Sequence, residues 1–160
     1  MTTQAHDTDR RIVVGVDGSH GSQAALRWAL AQAQLTGATV EAVAAWQSPA
    51  MIGYSYGWMP TPYEGESIAG AAEKVLAETV ADLAGARDRT RTTVTEGPPA
   101  QVLLKAAAGA DMLVVGSRGH GAFAGMLLGS VSQHCIQHAP CAVVVIPDED
   151  KSATMLSQPS

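Results

Sequence analysis

Two hydrophobic patterns alternate along the chain. Short apolar runs, of the kind that become strands buried on both faces, occur at Arg11–Val16, Thr39–Trp46, Asp111–Val115 and Cys141–Ile146, with a threonine-rich run at Arg91–Thr95. Between them, apolar residues recur at helical spacing. Leu26, Ala29, Leu30 and Ala33 fall at i, i+3, i+4 and i+7. They predict a first helix that starts after Ser19, a good N-cap, runs to about Leu35 and stops at Gly37. Ala72, Leu76, Val80 and Leu83 predict a second helix ending near Gly85. Glu96-Gly-Pro-Pro99 is a turn whose prolines open a third, with Ala100, Leu103, Leu104 and Ala107 on its buried face and Gly109 at its end. Val131–His138 predicts a fourth.

Five strands alternating with four helices predict an α/β fold, an open parallel sheet with right-handed crossovers. The segment Gln47–Glu66 breaks the alternation, with Pro49, Pro60 and Pro62, Gly53, Gly57 and Gly65, and with Tyr54, Tyr56, Trp58 and Tyr63 among them. A connection of this length is expected to be a lid or interface, or a mobile insertion. The polar ends, 1–9 and 148–160, are expected to be disordered, leaving 10–147 as one domain.

Composition narrows the class. At 160 residues, 46% hydrophobic and 16% charged, the chain has the make-up of a single globular domain. A net charge of −5 argues against non-specific nucleic-acid binding. No apolar stretch approaches the roughly 18 residues of a membrane span, and Met1–Arg10 is polar and acidic, unlike a signal peptide. Cys135 and Cys141 lack CxxC spacing and read as small buried hydrophobes of a reducing compartment, so a cytoplasmic location is expected.

The candidate chemistry lies in Gly116–Ser130, GSRGHGAFAGMLLGS, between a predicted strand and a predicted helix. Glycines let backbone amides approach an anion, and a helix N-terminus supplies aligned donors; the same glycines also suit a plain turn. The stretch is not a P-loop, because no GK[ST] ends it, and it follows a late strand, unlike the dinucleotide fingerprint. His134 and His138 share a helix face, but no third metal ligand is in view. Lys74, Lys105 and Lys151 all lie away from the loop, and no nucleophile–base constellation is visible, so an enzyme is not expected.

The spacing of Gly116, Gly119 and Gly129-Ser130 closely resembles the ATP-binding signature of the universal stress protein family. The likeness extends to Val13-Val-Gly-Val-Asp-Gly-Ser19 and to Cys141-Ala-Val-Val-Val-Ile-Pro147, so it spans nearly the whole chain. The resemblance implies strand order 3-2-1-4-5, which places Asp17 beside the glycine loop at the topological switch point. It also implies roles. Gly15, Val16 and Asp17 end the first strand, with Asp17 on ribose or a phosphate-bound Mg²⁺; the alternative is an Asx-turn to Ser19 alone. The backbone at Ala45 reads the adenine edge, with Trp46 beside it expected in the core. Val115 leads into the loop, and Gly116, Ser117, Arg118 and Gly119 wrap the sugar and α-phosphate. His120 and Gly121 follow, His120 reading as solvated, and Arg118 pairs with phosphate or faces solvent. Gly129, Ser130, Val131 and Ser132 cap the fourth helix and present N–H and hydroxyl donors to the outer phosphates.

The expectation is a cytoplasmic ATP-binding protein, with Mg²⁺, acting as a nucleotide-dependent sensor or regulator in stress response. Alternatives are a cyclic AMP or AMP binder, a slow ATP-hydrolysing or adenylating enzyme of related fold, or an electron-transfer flavoprotein-like domain. Strand five, Ala142–Ile146, is apolar for an edge and carries no lysine or bulge signal, so a homodimer through it is expected. The resemblance implies the same pairing; the alternative is that residues after Asp148 cover the edge.

Overall fold

Apolar runs and helical repeats resolve into nine elements in the computed structural model, which describes residues 10–48, 65–83, 85–119 and 127–147. They are β1 (Arg11–Gly15), α1 (His20–Thr36), β2 (Thr39–Trp46), α2 (Gly65–Ala81), β3 (Thr90–Glu96), α3 (Pro99–Ala106), β4 (Met112–Gly116), α4 (Ser130–His138) and β5 (Ala142–Ile146). The strands form one five-stranded sheet, parallel throughout, in the order β3-β2-β1-β4-β5. Both β1 and β4 are flanked by strands on each side, and their central residues are buried on both faces, which is why they read as continuous apolar runs. The predicted ends and most of the segment Gln47–Glu66 lie outside the described residues.

Side-chain alternation divides the core in two. Ile12, Val14, Val40 and Ala42 face Leu26 and Ala29 of α1 and Leu76 and Val80 of α2. Val13, Val43, Leu113 and Val115 face the other way, onto Val102 and Leu103 of α3 and Cys135 of α4. Helix α1 starts at Ser19, whose hydroxyl accepts from the Ser22 amide at 3.2 Å. It ends where Gly37, at φ 75°, turns left-handed and returns its amide to Ala33.

The third helix departs from expectation. It buries Val102, Leu103 and, just past its end, Ala107, while Ala100 and Leu104 are only half-buried. Gly15 makes room for Leu103, which the expected face and the observed one share. It leaves a hollow on this face of the sheet, and a Leu103 methyl carbon lies 2.8 Å from where a Gly15 side chain would begin.

The N-terminal ends of the strands are tied by one arginine. Arg11 donates through its amide to Asp111 and through its guanidinium to Glu41 and to the Ala108 carbonyl, each at 2.7 Å. Thr93 donates to the other Glu41 oxygen at 3.0 Å. This network holds the end of the sheet remote from the glycine loop.

Candidate functional site

At the C-terminal end of β1 the chain makes a tight turn. The Ser19 amide donates to an Asp17 carboxylate oxygen at 2.9 Å, and the Ser19 hydroxyl donates to the same oxygen. Gly18, at φ 83°, supplies the left-handed residue the turn requires. The Asx-turn anticipated as the alternative role of Asp17 is therefore present, and it uses one carboxylate oxygen. The other, Oδ2, lies 2.5 Å from the place where a Gly119 side chain would begin. So Asp17 and the glycine loop do meet across the β1–β4 switch.

The second half of the site grows from β4. Past Gly116, the Ser117 amide donates to the Ile146 carbonyl at 2.8 Å and its carbonyl accepts the Gly129 amide at 2.6 Å. The loop thus returns to its own root before α4 begins. Gly129, not Ser130, is the N-cap, and no side chain caps the helix. Helical hydrogen bonding starts with the Gln133 amide to the Gly129 carbonyl, so the amides of Ser130, Val131 and Ser132 precede it and point out of the helix end. The Ser132 hydroxyl corrects an expectation. It is buried and donates to the Ser117 carbonyl at 3.0 Å or the Gly129 carbonyl at 2.9 Å, so it braces the loop and offers a ligand only its amide.

These two halves enclose a cavity of about 390 Å³, within the range of small-molecule sites. Its chemistry is graded. Val43, Ala45, Val115 and Val131, with Pro99 and Leu103 of α3, form an apolar wall. Asp17, Ser19, Ser22, Arg118 and Ser130, with Gly116, Gly119 and Gly129, form a polar rim. Gly15, Val16 and Ser132 complete the lining. Ser117 is buried beneath the loop, and Trp46 is half-buried outside the lining. His120 and Gly121 lie outside the described residues.

The glycines do different jobs. A side chain at Gly129 would meet only ordinary contacts, none nearer than 3.5 Å, and its φ of −77° suits any residue. Nothing in the described protein demands glycine there, whereas an anion drawn to the uncapped amides of α4 would. Gly116 is needed by the protein itself, against the backbone of α1, whereas at Gly119 it is the end of the Asp17 side chain that stands in the way.

A model of the universal stress protein family matches residues 9–147. The chain belongs to this family. It is 36% identical to a universal stress protein of Thermus aquaticus over 143 residues, covering 86% of this chain and 98% of the relative. It is 33% identical over 152 residues to one of Mycolicibacterium smegmatis, covering 91% of this chain and 51% of the relative. The chain thus spans about half the length of the mycobacterial relatives it matches. Among solved structures, a universal stress protein in complex with cAMP aligns at TM-score 0.56 and 26% identity, over 87% of this chain and 97% of that one.

Family membership does not by itself single out Ser19, Ser22, Val43, Pro99 or Leu103, which the structure adds to the site. Val43 shares a strand face with Ala45, a period-two signal the sequence carries. Pro99 and Leu103 reach the cavity only through the packing of α3, which no local pattern reveals. Among the described residues, no group of three or more His, Cys, Asp or Glu stands ready to hold a metal ion, and no helix is long and apolar enough to cross a membrane.

Both described cysteines are free thiols. Burial pushes the Cys135 thiol up. It does the same at Cys141, where Arg11 opposes and Asp111 assists the rise. A raised thiol keeps its proton in the folded state after the unfolded chain has lost it. Stability therefore falls as pH rises through and above the ordinary thiol range. Ellman's reagent at pH 8 is expected to leave Cys135 unmodified until the protein is unfolded in denaturant; rapid labelling of Cys135 in the native protein would contradict its burial.

Proposed function

We propose that the cavity binds an adenine nucleotide, ATP with Mg²⁺ as the first choice, and that the protein acts as a nucleotide-dependent sensor or regulator in stress response. The observation that carries this reading is the polarity gradient: an apolar slot for a base at one end, and uncapped α4 amides behind a glycine loop at the other. Asp17 is the acidic residue among the described ones lining the cavity, and it would be the one to meet the ribose or a phosphate-bound Mg²⁺. The Mg²⁺ would travel with the phosphates. A second reading, cyclic AMP or AMP, is favoured by the cAMP-bound relative and needs only the base slot and one phosphate position. Mass spectrometry of nucleotide released from purified protein, with calorimetry against ATP·Mg²⁺, AMP and cyclic AMP, separates the two. Absence of binding to all three defeats both.

The protein is proposed to bind rather than to turn over. Among the described residues lining the cavity, no nucleophile–base pair stands out of the kind phosphoryl-transfer enzymes use to orient an attacking water. Steady-state hydrolysis is expected to stay below about 1 s⁻¹, the low end for enzymes; faster turnover favours the enzymatic alternative. A cytoplasmic location belongs to the same proposal, supported by the two free thiols.

A homodimer through β5 is proposed on the sheet order, which leaves that strand at an edge. Val143, Val144, Val145 and Ile146 are half-buried rather than covered, and Ile136 of α4 is 49% exposed. Pairing with a second β5 would satisfy the edge and extend the sheet through a two-fold axis. Val144→Lys with Val145→Pro is expected to convert dimer to monomer in sedimentation at tens of micromolar; a wild-type monomer under the same conditions rejects the pairing.

A further inference from the structure

The opposite edge of the sheet has a different character. Strand β3 lies outermost there, seven residues of sequence TRTTVTE, without proline. Two hollows larger than the nucleotide cavity, of about 700 and 670 Å³, open along it. The first runs between α2 and β3, with Leu76, Ala77, Val80 and Val94 as an apolar floor. The second sits at the foot of β3, beside the turn that leads into the strand. Thr90 lines both, and its hydroxyl oxygen is buried with no hydrogen-bond partner among the described residues.

The charge at this edge runs against the rest of the chain. Arg87, Arg89 and Arg91 are three of its seven arginines, packed into five positions of a protein whose net charge is −5. All three are exposed, and none has an ion-pair partner among the described residues. The acidic residues lining the two hollows are Glu73, beside the apolar floor, and Asp88, in the arginine turn.

We propose that the β3 edge, with its apolar groove and its arginine turn, docks an extended acidic peptide segment of a partner protein by strand addition. Each feature selects for part of such an occupant. Among the described residues no strand pairs with β3 besides β2, so its outer edge offers backbone donors and acceptors to an extended chain. In a strand, alternate side chains fall on one face, so apolar residues at every second position enter the groove over Leu76 and Val80. Acidic residues on the other positions meet Arg89 and Arg91 at the turn, where steering by opposite charge sets direction and register. Glu73 and Arg87 both line the groove, one of each sign, so its apolar floor and not its charge selects what enters it. A nucleic acid would gain from the arginines but not from the apolar floor or the strand edge.

The test uses the whole protein and a fluorescein-labelled peptide of about eight alternating glutamate and valine residues, a common strand length. Fluorescence anisotropy is expected to show saturable binding that weakens with salt. Arg89→Glu with Arg91→Glu is expected to weaken it at least about tenfold while circular dichroism and nucleotide affinity stay as in the wild type. Methylating alternate amides of the peptide is expected to abolish binding to the wild-type protein, since that removes the edge hydrogen bonds without touching the protein. A lysine–valine peptide of equal length is expected not to bind. The proposal is overturned if no saturation appears by about 1 mM, if the arginine reversals or the methylated amides leave affinity unchanged, or if a single-stranded oligonucleotide binds at this edge in preference to the peptide. It is overturned too if the arginine reversals dissociate a self-assembled form, which would make a second copy of the chain the occupant.

Discussion

Gly119→Val is expected to weaken nucleotide binding roughly ten- to hundredfold, measured by calorimetry, while leaving the fold standing. The geometry separates the two effects. A side chain at Gly119 would begin 2.5 Å from Asp17 Oδ2, and among the described residues none comes as near to it. What must yield is therefore the end of one side chain, not a backbone segment. Asp17 can swing away at the expense of its hydrogen bonds from Ser19, and the core beneath it, Val14 and Val16, is untouched. The carboxylate leaves the cavity rim, and the valine occupies part of it. Asp17→Ala isolates the first of these consequences. If displacement of the carboxylate is the whole effect, the double variant binds no worse than either single one. If the valine itself obstructs the phosphates, Gly119→Val is the weaker binder of the two. Unchanged affinity in both single variants would remove Asp17 and the glycine loop from the site.

The elements were legible because their signals are local. Parallel strands buried on both faces leave continuous apolar runs, and Ser19 and Gly37 mark the ends of α1 in the sequence itself. The meeting of Asp17 with the glycine loop was legible only once strand order was supplied by family likeness, because adjacency of β1 and β4 is a property of the sheet and not of either motif. The third helix was legible in part, with Leu103 and Ala107 buried as expected. Val102 and Leu104 are both apolar, and the packing of α3 on the sheet, which no local pattern carries, leaves the first buried and the second half-buried. At α4 the serines following Gly129 looked like capping donors, yet the buried Ser132 hydroxyl turns inward to the Ser117 carbonyl. A side-chain hydroxyl prefers a fixed internal acceptor wherever burial removes water as the alternative. The arginine-bordered β3 edge is a surface that no local pattern marks, since its groove exists only where α2 passes the strand.

Gly116→Ala is expected to lower the stability of the fold by about 1–3 kcal/mol, the usual range for overpacking. In thermal unfolding this corresponds to a fall of about 2–12 °C for a domain of this size. Glycine-rich loops are usually explained by the ligand, but here the protein's own backbone makes the demand. A β-carbon at Gly116 would sit 2.8 Å from the Gly21 carbonyl carbon, 2.9 Å from its oxygen and 3.1 Å from its α-carbon. A side chain at Gly21 would in turn begin 2.7 Å from the Arg118 carbonyl oxygen. The first turn of α1 and the root of the glycine loop thus touch backbone to backbone, and neither has a side-chain end that can swing aside. Ser19 pins the start of α1, and Ala24 and Ala25 seat the helix in the core, so relief requires the strand end and the helix to move apart. That motion carries Arg118 and Gly119 with it, and nucleotide affinity is expected to fall along with stability. Gly70 provides the contrast. It lies within α2, is exposed, and a side chain there would meet nothing within 4 Å. Gly70→Ala is expected to raise stability by about 0.5–1 kcal/mol, by restricting the unfolded chain and favouring the helix. Opposite signs for these two alanine substitutions, in the same denaturant titration, are what backbone contact at Gly116 requires. Equal and small effects would mean that the α1–loop contact is loose, and that the glycine at 116 answers to the ligand after all.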